Sequence, residues 1–116
     1  MLQSREQFSR MDRRITFQSR IIGENESNED AEIGWEDVAT VWAEVSDATG
    51  REELQAEQIT AYKASEFTVR YRAVDVKWRI VFDDEKYNIL SIQRVNRNGY
   101  LKILAAVGVK YQEAGT

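Results

Sequence analysis

Apolar residues recur at every second position in this chain, in short runs broken by turn-forming residues. That period of two belongs to half-buried strands, since successive side chains of a strand point to opposite faces. In 13–22, Ile15, Phe17 and Ile21 share one face, while Arg14, Thr16, Gln18 and Arg20 share the other. In 37–46, Ala39, Val41, Ala43 and Val45 make a small apolar face opposite Val38, Thr40, Trp42 and Glu44. Further on, Phe67, Val69 and Tyr71 alternate with Thr68, Arg70 and Arg72, and Trp78, Ile80 and Phe82 with Arg79, Val81 and Asp83. Ile89, Leu90 and Ile92 suggest burial on both faces of 87–95, and Leu101, Ile103, Ala105 and Val107 line one face of 100–107. Asp83-Asp84-Glu85-Lys86 and Asn96-Arg97-Asn98-Gly99 read as hairpin turns. Roughly six short strands at this length predict a mainly β fold, a small closed or nearly closed antiparallel barrel without exposed edges. With 116 residues the expectation is a single domain and a single core.

Composition narrows the chemistry. The chain has no cysteine, histidine or proline. Disulfides, thiolate catalysis and cysteine-type zinc sites are thereby excluded, along with the commonest general base and metal ligand. A formal charge of −4 argues against a duplex-DNA reader, which works through a basic face. No apolar run reaches the ~18–20 residues of a membrane span, and MLQSREQFSRMDRR has no apolar signal-peptide core. The expectation is a protein made in the cytoplasm, with 1–12 as an N-terminal arm and 108–116 as a loose tail.

The period changes once, within WEDVATVWAEVSDATGREELQAE at 35–57. Thr49 followed by Glu52 has the form of a capping box, with Glu52 and Glu53 in the first turn of a short helix. Leu54 is its only strong apolar residue before Ile59. So polar a helix reads as an excursion from the barrel after the second strand, presenting Gln55, Glu57 and Gln58 to solvent or to a partner. Trp42, on the face opposite the small residues, is a candidate subunit contact, because tryptophan is enriched at such anchors. The preceding stretch, 23–37, holds seven acids, and no basic residue occurs between Arg20 and Arg51. It reads as a solvated hairpin loop. Its spacing does not match a calcium loop, but in a ring of copies it would repel a polyanion over roughly 8 Å.

Two other function classes have sequence support. A small nucleic-acid-binding barrel would stack bases on Tyr71 and Trp78 and use Arg70, Arg72, Lys77 and Arg79 as a basic stripe. A carboxylate-based hydrolase would draw a pair from Asp83, Asp84 and Glu85, although adjacent acids in a turn lack the separation such chemistry needs.

The segments Asp12-Arg13-Arg14-Ile15-Thr16-Phe17-Gln18, Trp35-Glu36-Asp37-Val38-Ala39-Thr40-Val41-Trp42-Ala43-Glu44-Val45, Gly50-Arg51-Glu52, Phe67-Thr68-Val69-Arg70-Tyr71-Arg72, Trp78-Arg79-Ile80-Val81-Phe82-Asp83 and Tyr87-Asn88-Ile89 occur in that order. This ordered set resembles the head-tail joining proteins of tailed phages, also called adaptors or stoppers, over about 12–107. Two departures touch loops: Asp83-Asp84 stands where the family carries Asp-Gly, and Ser46-Asp47-Ala48-Thr49 lacks a frequent proline. The resemblance implies a virion protein at the head-tail interface, forming a ring of roughly six or twelve copies. A portal or adaptor ring would lie above it, with tail terminator or tail-tube proteins below. Packaged double-stranded DNA in the channel would be retained without sequence specificity. The resemblance also implies that the loop at 46–64 points into that channel. Its candidate gating residues are Ser46, Asp47, Thr49, Arg51, Glu52, Glu53, Gln55, Glu57 and Gln58. No catalytic residue, metal or cofactor is implied, nor any membrane partner.

Overall fold

A computed structural model describes residues 10–24, 26–27, 29–52, 54, 59–60, 63–97, 99–108 and 110–111. Its strands are β1 (Arg13–Glu24), β2 (Asp30–Asp47), β3 (Ile59–Thr60), β4 (Lys63–Arg70), β5 (Arg79–Phe82), β6 (Glu85–Val95), β7 (Tyr100–Val107) and β8 (Lys110–Tyr111). The fold is mainly β. Six strands pair antiparallel in the order β1-β2-β4-β7-β6-β5, and β5 returns to β1 through Thr16–Gln18, so the sheet closes on itself. Closure satisfies the edges that a period-two sequence would otherwise expose. β3 and β8 form a separate two-stranded ladder, Ile59 opposite Tyr111 and Thr60 opposite Lys110.

The inward residues of the alternating runs meet in one core. Ile15, Phe17, Ala43, Phe67, Val69, Ile80, Tyr87, Ile89, Leu101, Ile103 and Ala105 are buried together, with Trp78 and Phe82 packed at the margin. Phe67 stands edge-on to Tyr87 at 5.2 Å and to Phe82 at 5.9 Å, the geometry aromatic quadrupoles favour. At ~1.5–3 kcal/mol per large apolar side chain, these residues supply the main driving force for folding.

A second, smaller cluster lies outside the barrel wall. Ala48, Leu54, Ala64 and Ala106 are buried together, with Leu90 and Leu104 against them. Ala64, Ala106 and Leu104 belong to the outward faces of β4 and β7. Leu90 reaches the same side by ordinary alternation, since its neighbour Ile89 faces the core. The β6–β7 register then slips between Ile89 and Ser91, which returns Ile92 to the core side opposite Ile103.

Two expectations change. The acidic stretch 23–37 is mostly strand, because β2 begins at Asp30 and pairs with β1 up to Glu24 opposite Asp30. The backbone there is satisfied by the β1 ladder, so high charge and weak strand propensity do not force a loop. In the turn Asn96-Arg97-Asn98-Gly99, Asn96 (53°) and Arg97 (51°) take positive φ. Gly99 serves close approach, since a Cβ there would stand 3.2 Å from the Asn96 carbonyl oxygen. Second, among the described residues the Thr49 hydroxyl is engaged across the chain at Ala64 and not at the start of a helix. The turn Asp83-Asp84 takes φ of 52° and 62° without glycine, which fits the tolerance of short polar side chains for this region. Of the expected helix over 51–58, Arg51, Glu52 and Leu54 are described; Glu52 and Leu54 have helical backbone, and the remainder lies outside the described residues.

Candidate functional site

Three surface features stand out: the root of the 46–64 loop, an opening in the barrel wall, and the far end of the β1–β2 hairpin.

The loop leaves β2 at Asp47 and re-enters β4 at Lys63. Its first residues fold back onto the wall. The Ala48 N–H donates to the Ala64 carbonyl at 2.9 Å. Thr49 Oγ1 accepts the Ala64 N–H at 2.8 Å and donates to the Ala64 carbonyl at 3.2 Å. The Thr49 N–H in turn donates to Asp47 Oδ1 at 3.1 Å. Hydrogen bonds from Thr49 hold the Asp47 carboxyl below its ordinary range, although the group is fully exposed. Arg51 pairs with Glu66 of β4 at 3.1 Å, and Leu54, 5% exposed, closes the outer cluster. Lys63, at the other end of the loop, pairs with Glu85, and that hydrogen bond raises its pKa. Both ends of the loop are thus fastened to the same wall, by chemistry that the helix reading of the sequence did not anticipate.

Of the predicted loop residues, Ser46 and Asp47 end β2 in exposed positions, Thr49 and Glu52 are exposed, and Arg51 is half-buried. Glu53, Gln55, Glu57 and Gln58 lie outside the described residues.

The second feature arises where β2 and β4 part. They pair only from Glu44 opposite Thr68 to Asp47 opposite Ser65. Beyond that point β4 continues along β7, and β2 from Ala43 back to Ala39 is paired only on its β1 side among the described residues. The gap is a cavity of about 810 Å³ lined by Met11, Asp12, Arg14, Thr40, Val41, Trp42, Arg70, Tyr71 and Arg72. Trp42 (53% exposed) and Tyr71 (43%) supply its aromatic surface. The Arg14 guanidinium lies 4.6 Å from the Trp42 ring, and Arg94 lies 5.1 Å from the Tyr71 ring. Arg72 reaches to 5.7 Å from the core ring of Phe17, covering the opening. Among the described residues no carboxylate pairs with Arg14, Arg70 or Arg72.

This arrangement splits the basic stripe suggested by the sequence. Arg70 and Arg72 share the groove with Tyr71, whereas Arg79 lies elsewhere, 4.1 Å from the Trp35 ring, with its Nε donating to Gln18 Oε1 at 2.8 Å. Trp78 packs against Phe17, at 6.1 Å between ring centroids, and is not among the residues that line the groove with Tyr71. Asp83 and Asp84 are exposed turn residues, and Glu85 is bonded to Lys63. The groove itself went unread in the sequence. Its signal was present in Arg70-Tyr71-Arg72 and in Arg14, which stands opposite Trp42 in the β1–β2 register.

The third feature is the hairpin end beyond the barrel. β5 leaves β1 at Gln18, so 19–24 and 30–36 continue as a ribbon. On one side Gln18 donates to Asp37 at 2.8 Å, Arg20 pairs with Glu32 at 3.4 Å, and Trp35 Nε1 donates to Glu32 at 2.9 Å. On the other, Ile33 lies over Gly23, where a Cβ would stand 2.6 Å from Ile33 Cδ1, and Ile21 lies over Gly34. A larger residue at 23 would have to push the tip of the Ile33 side chain aside. Glu24, Glu26 and Asp30 are exposed at the tip.

Among solved structures, the fold is similar to the solution structure of protein SF1141 from Shigella flexneri 2a. The two share 25% identity at a TM-score of 0.65, over 83% of this chain and 91% of that one. It is also similar to a chain of the virion of a native gene transfer agent particle, at 19% identity and a TM-score of 0.61, over 81% of this chain and 91% of that one; this likeness concerns the fold. No curated protein sequence matches. The phage head completion protein family matches residues 7–108, a span that takes in the whole barrel, the loop root, the groove and the arm. The chain belongs to the phage head completion protein family, a structural component of the phage particle.

Proposed function

We propose that this protein is the stopper of a tailed-phage head: a ring below the portal that retains packaged DNA and offers the surface on which the tail docks. The observation that carries the reading is the family match over 7–108. The loop at 46–64 is the gate. Its root is held to the barrel by Thr49, Arg51 and Leu54, its return by Lys63 and Glu85, and Ile59–Thr60 between them pairs with Lys110–Tyr111. On this reading the loop works as an order–disorder or hinge switch. Its acids, Glu52, Glu53 and Glu57, suit a passage that DNA must traverse, since each neutralised phosphate would add salt-dependent grip.

Cryo-EM of filled and emptied particles tests this. The expected result is density for this chain between portal and tail, with 46–64 narrowing the bore in filled particles and withdrawn in emptied ones. Density for the chain at the junction with 46–64 unchanged and outside the bore would overturn the gate. Absence of the chain from the junction would overturn the stopper reading itself.

A further inference from the structure

We infer that the acidic tip of the β1–β2 arm of one copy seats in the basic groove between β2 and β4 of the next, joining copies head to tail. This inference rests on the ring reading and supplies the contact that ring needs.

Charge is the first argument. The groove brings together Arg14, Arg70 and Arg72, with Asp12 the one acid in its lining, and that Asp12 lies 3.9 Å from Arg13. The arm tip carries Glu24, Glu26 and Asp30, all exposed, in a stretch with no basic residue between Arg20 and Arg51. A protein with a formal charge of −4 has thus concentrated three arginines in one opening and its densest acids at the opposite end of the same hairpin. Complementary patches of this kind steer encounter and fix orientation.

Distance is the second. Arg14 and Glu24 lie at opposite ends of β1, about 33 Å apart at ~3.3 Å per residue. A paired strand cannot bend back over that length, so the tip of one molecule cannot reach its own groove. It can reach that of a neighbour. Because the two patches differ, the contact is heterologous, the type that generates rings when the rotation closes.

The third argument is what the groove offers besides charge. Over Ala39–Ala43, β2 is paired on its β1 side alone among the described residues, leaving a backbone edge at the groove wall. An extended segment laid there gains main-chain hydrogen bonds, as in strand addition. Trp42 and Tyr71 are exposed at the groove, and Ile22 and Ile33 are exposed on the arm (52% and 62%). Each surface therefore holds apolar area that the other can cover. A two-stranded ribbon is only marginally stable alone in water, and seating in a neighbour would stabilise it.

The absence of native cysteine makes a cross-linking test clean. Glu26→Cys and Thr40→Cys variants are mixed in equal amounts at high concentration with oxidised glutathione, and the mixed disulfide dimer is followed over time. The control partner is Asp84→Cys, in a turn away from the groove. The expected result is cross-linking to Thr40→Cys at least about tenfold faster than to the control at low salt, with the ratio falling as salt rises. Adding Arg70→Glu and Arg72→Glu to the Thr40→Cys partner removes the advantage. Adding Glu24→Lys and Asp30→Lys to the Glu26→Cys partner restores it for the reversed groove. Equal rates to Thr40→Cys and Asp84→Cys, or an advantage indifferent to both reversals, overturns the arm-in-groove contact. If that happens while the protein still occupies the head–tail junction of the particle, the stopper reading stands and only this contact fails.

Discussion

Thr49 shows how one side chain decides where a loop begins. Its hydroxyl accepts the Ala64 N–H and donates to the Ala64 carbonyl, which also accepts the Ala48 N–H, so it is a bridge between the two strands flanking the loop. Thr49→Val keeps the shape and leaves the Ala64 N–H without that partner. The expected cost is about 1–3 kcal/mol by urea denaturation, with Thr49→Ser close to wild type. Asp47 adds a pH dependence to the same turn. Hydrogen bonds from Thr49 depress its folded pKa, so its contribution is present above the unfolded carboxylate value and is lost as pH falls through the folded one. Urea midpoints followed downward from about pH 5 will fall more for wild type than for Asp47→Asn, the difference opening below about pH 4. None of this was legible in the sequence. Thr49 and Glu52 had the right spacing for a capping box, and nothing in a linear reading places Ala64 beside Thr49.

At the scale of elements, the alternating runs were legible because burial enforces them. Ile15, Phe17, Phe67, Val69, Ile80, Leu101 and Ile103 fall inside as their spacing requires. The bulge at Leu90 was half legible: two adjacent apolar residues signalled burial on both faces, though not a slip in register. The acidic first half of β2 was illegible. Neither propensity nor pattern marks 30–36 as strand, and only pairing with β1 makes it one. The outer cluster went unseen for a similar reason, since Leu54 looked isolated among polar neighbours until Ala48, Ala64 and Ala106 gathered around it. Leu54→Ala is expected to cost about 2–3 kcal/mol and to act locally. Hydrogen exchange will show faster exchange of the Arg51 and Ala64 amides while those of Val69 and Ile103 stay protected.

For the whole molecule, the barrel and the arm are separable in stability though continuous in chain. Core and ladders close below Gln18, and the ribbon beyond contributes little to them. Replacing 22–33 with Asn-Gly joins Ile21 to Gly34, already paired opposite each other, through a turn that favours hairpins. The shortened protein is expected to unfold cooperatively with a nearly unchanged midpoint by circular dichroism, and to lose association between copies in sedimentation at high concentration.

β2 runs from Asp30 at the arm to Asp47 at the loop root, and β1 is bonded to it along Arg13–Glu24 with register slips between Phe17 and Gln18 and between Ile21 and Ile22. Hydrogen bonds of an antiparallel pair stand perpendicular to the strands. A pull on the arm along this axis draws both strands the same way, so the load falls in shear on the rungs that join β1 to β5 and β2 to β4. Mechanically, the strand is a tie rod with two kinks in its ladder, at Val38 and Ile33, through which a tug from a neighbouring copy would pass on its way to Asp47.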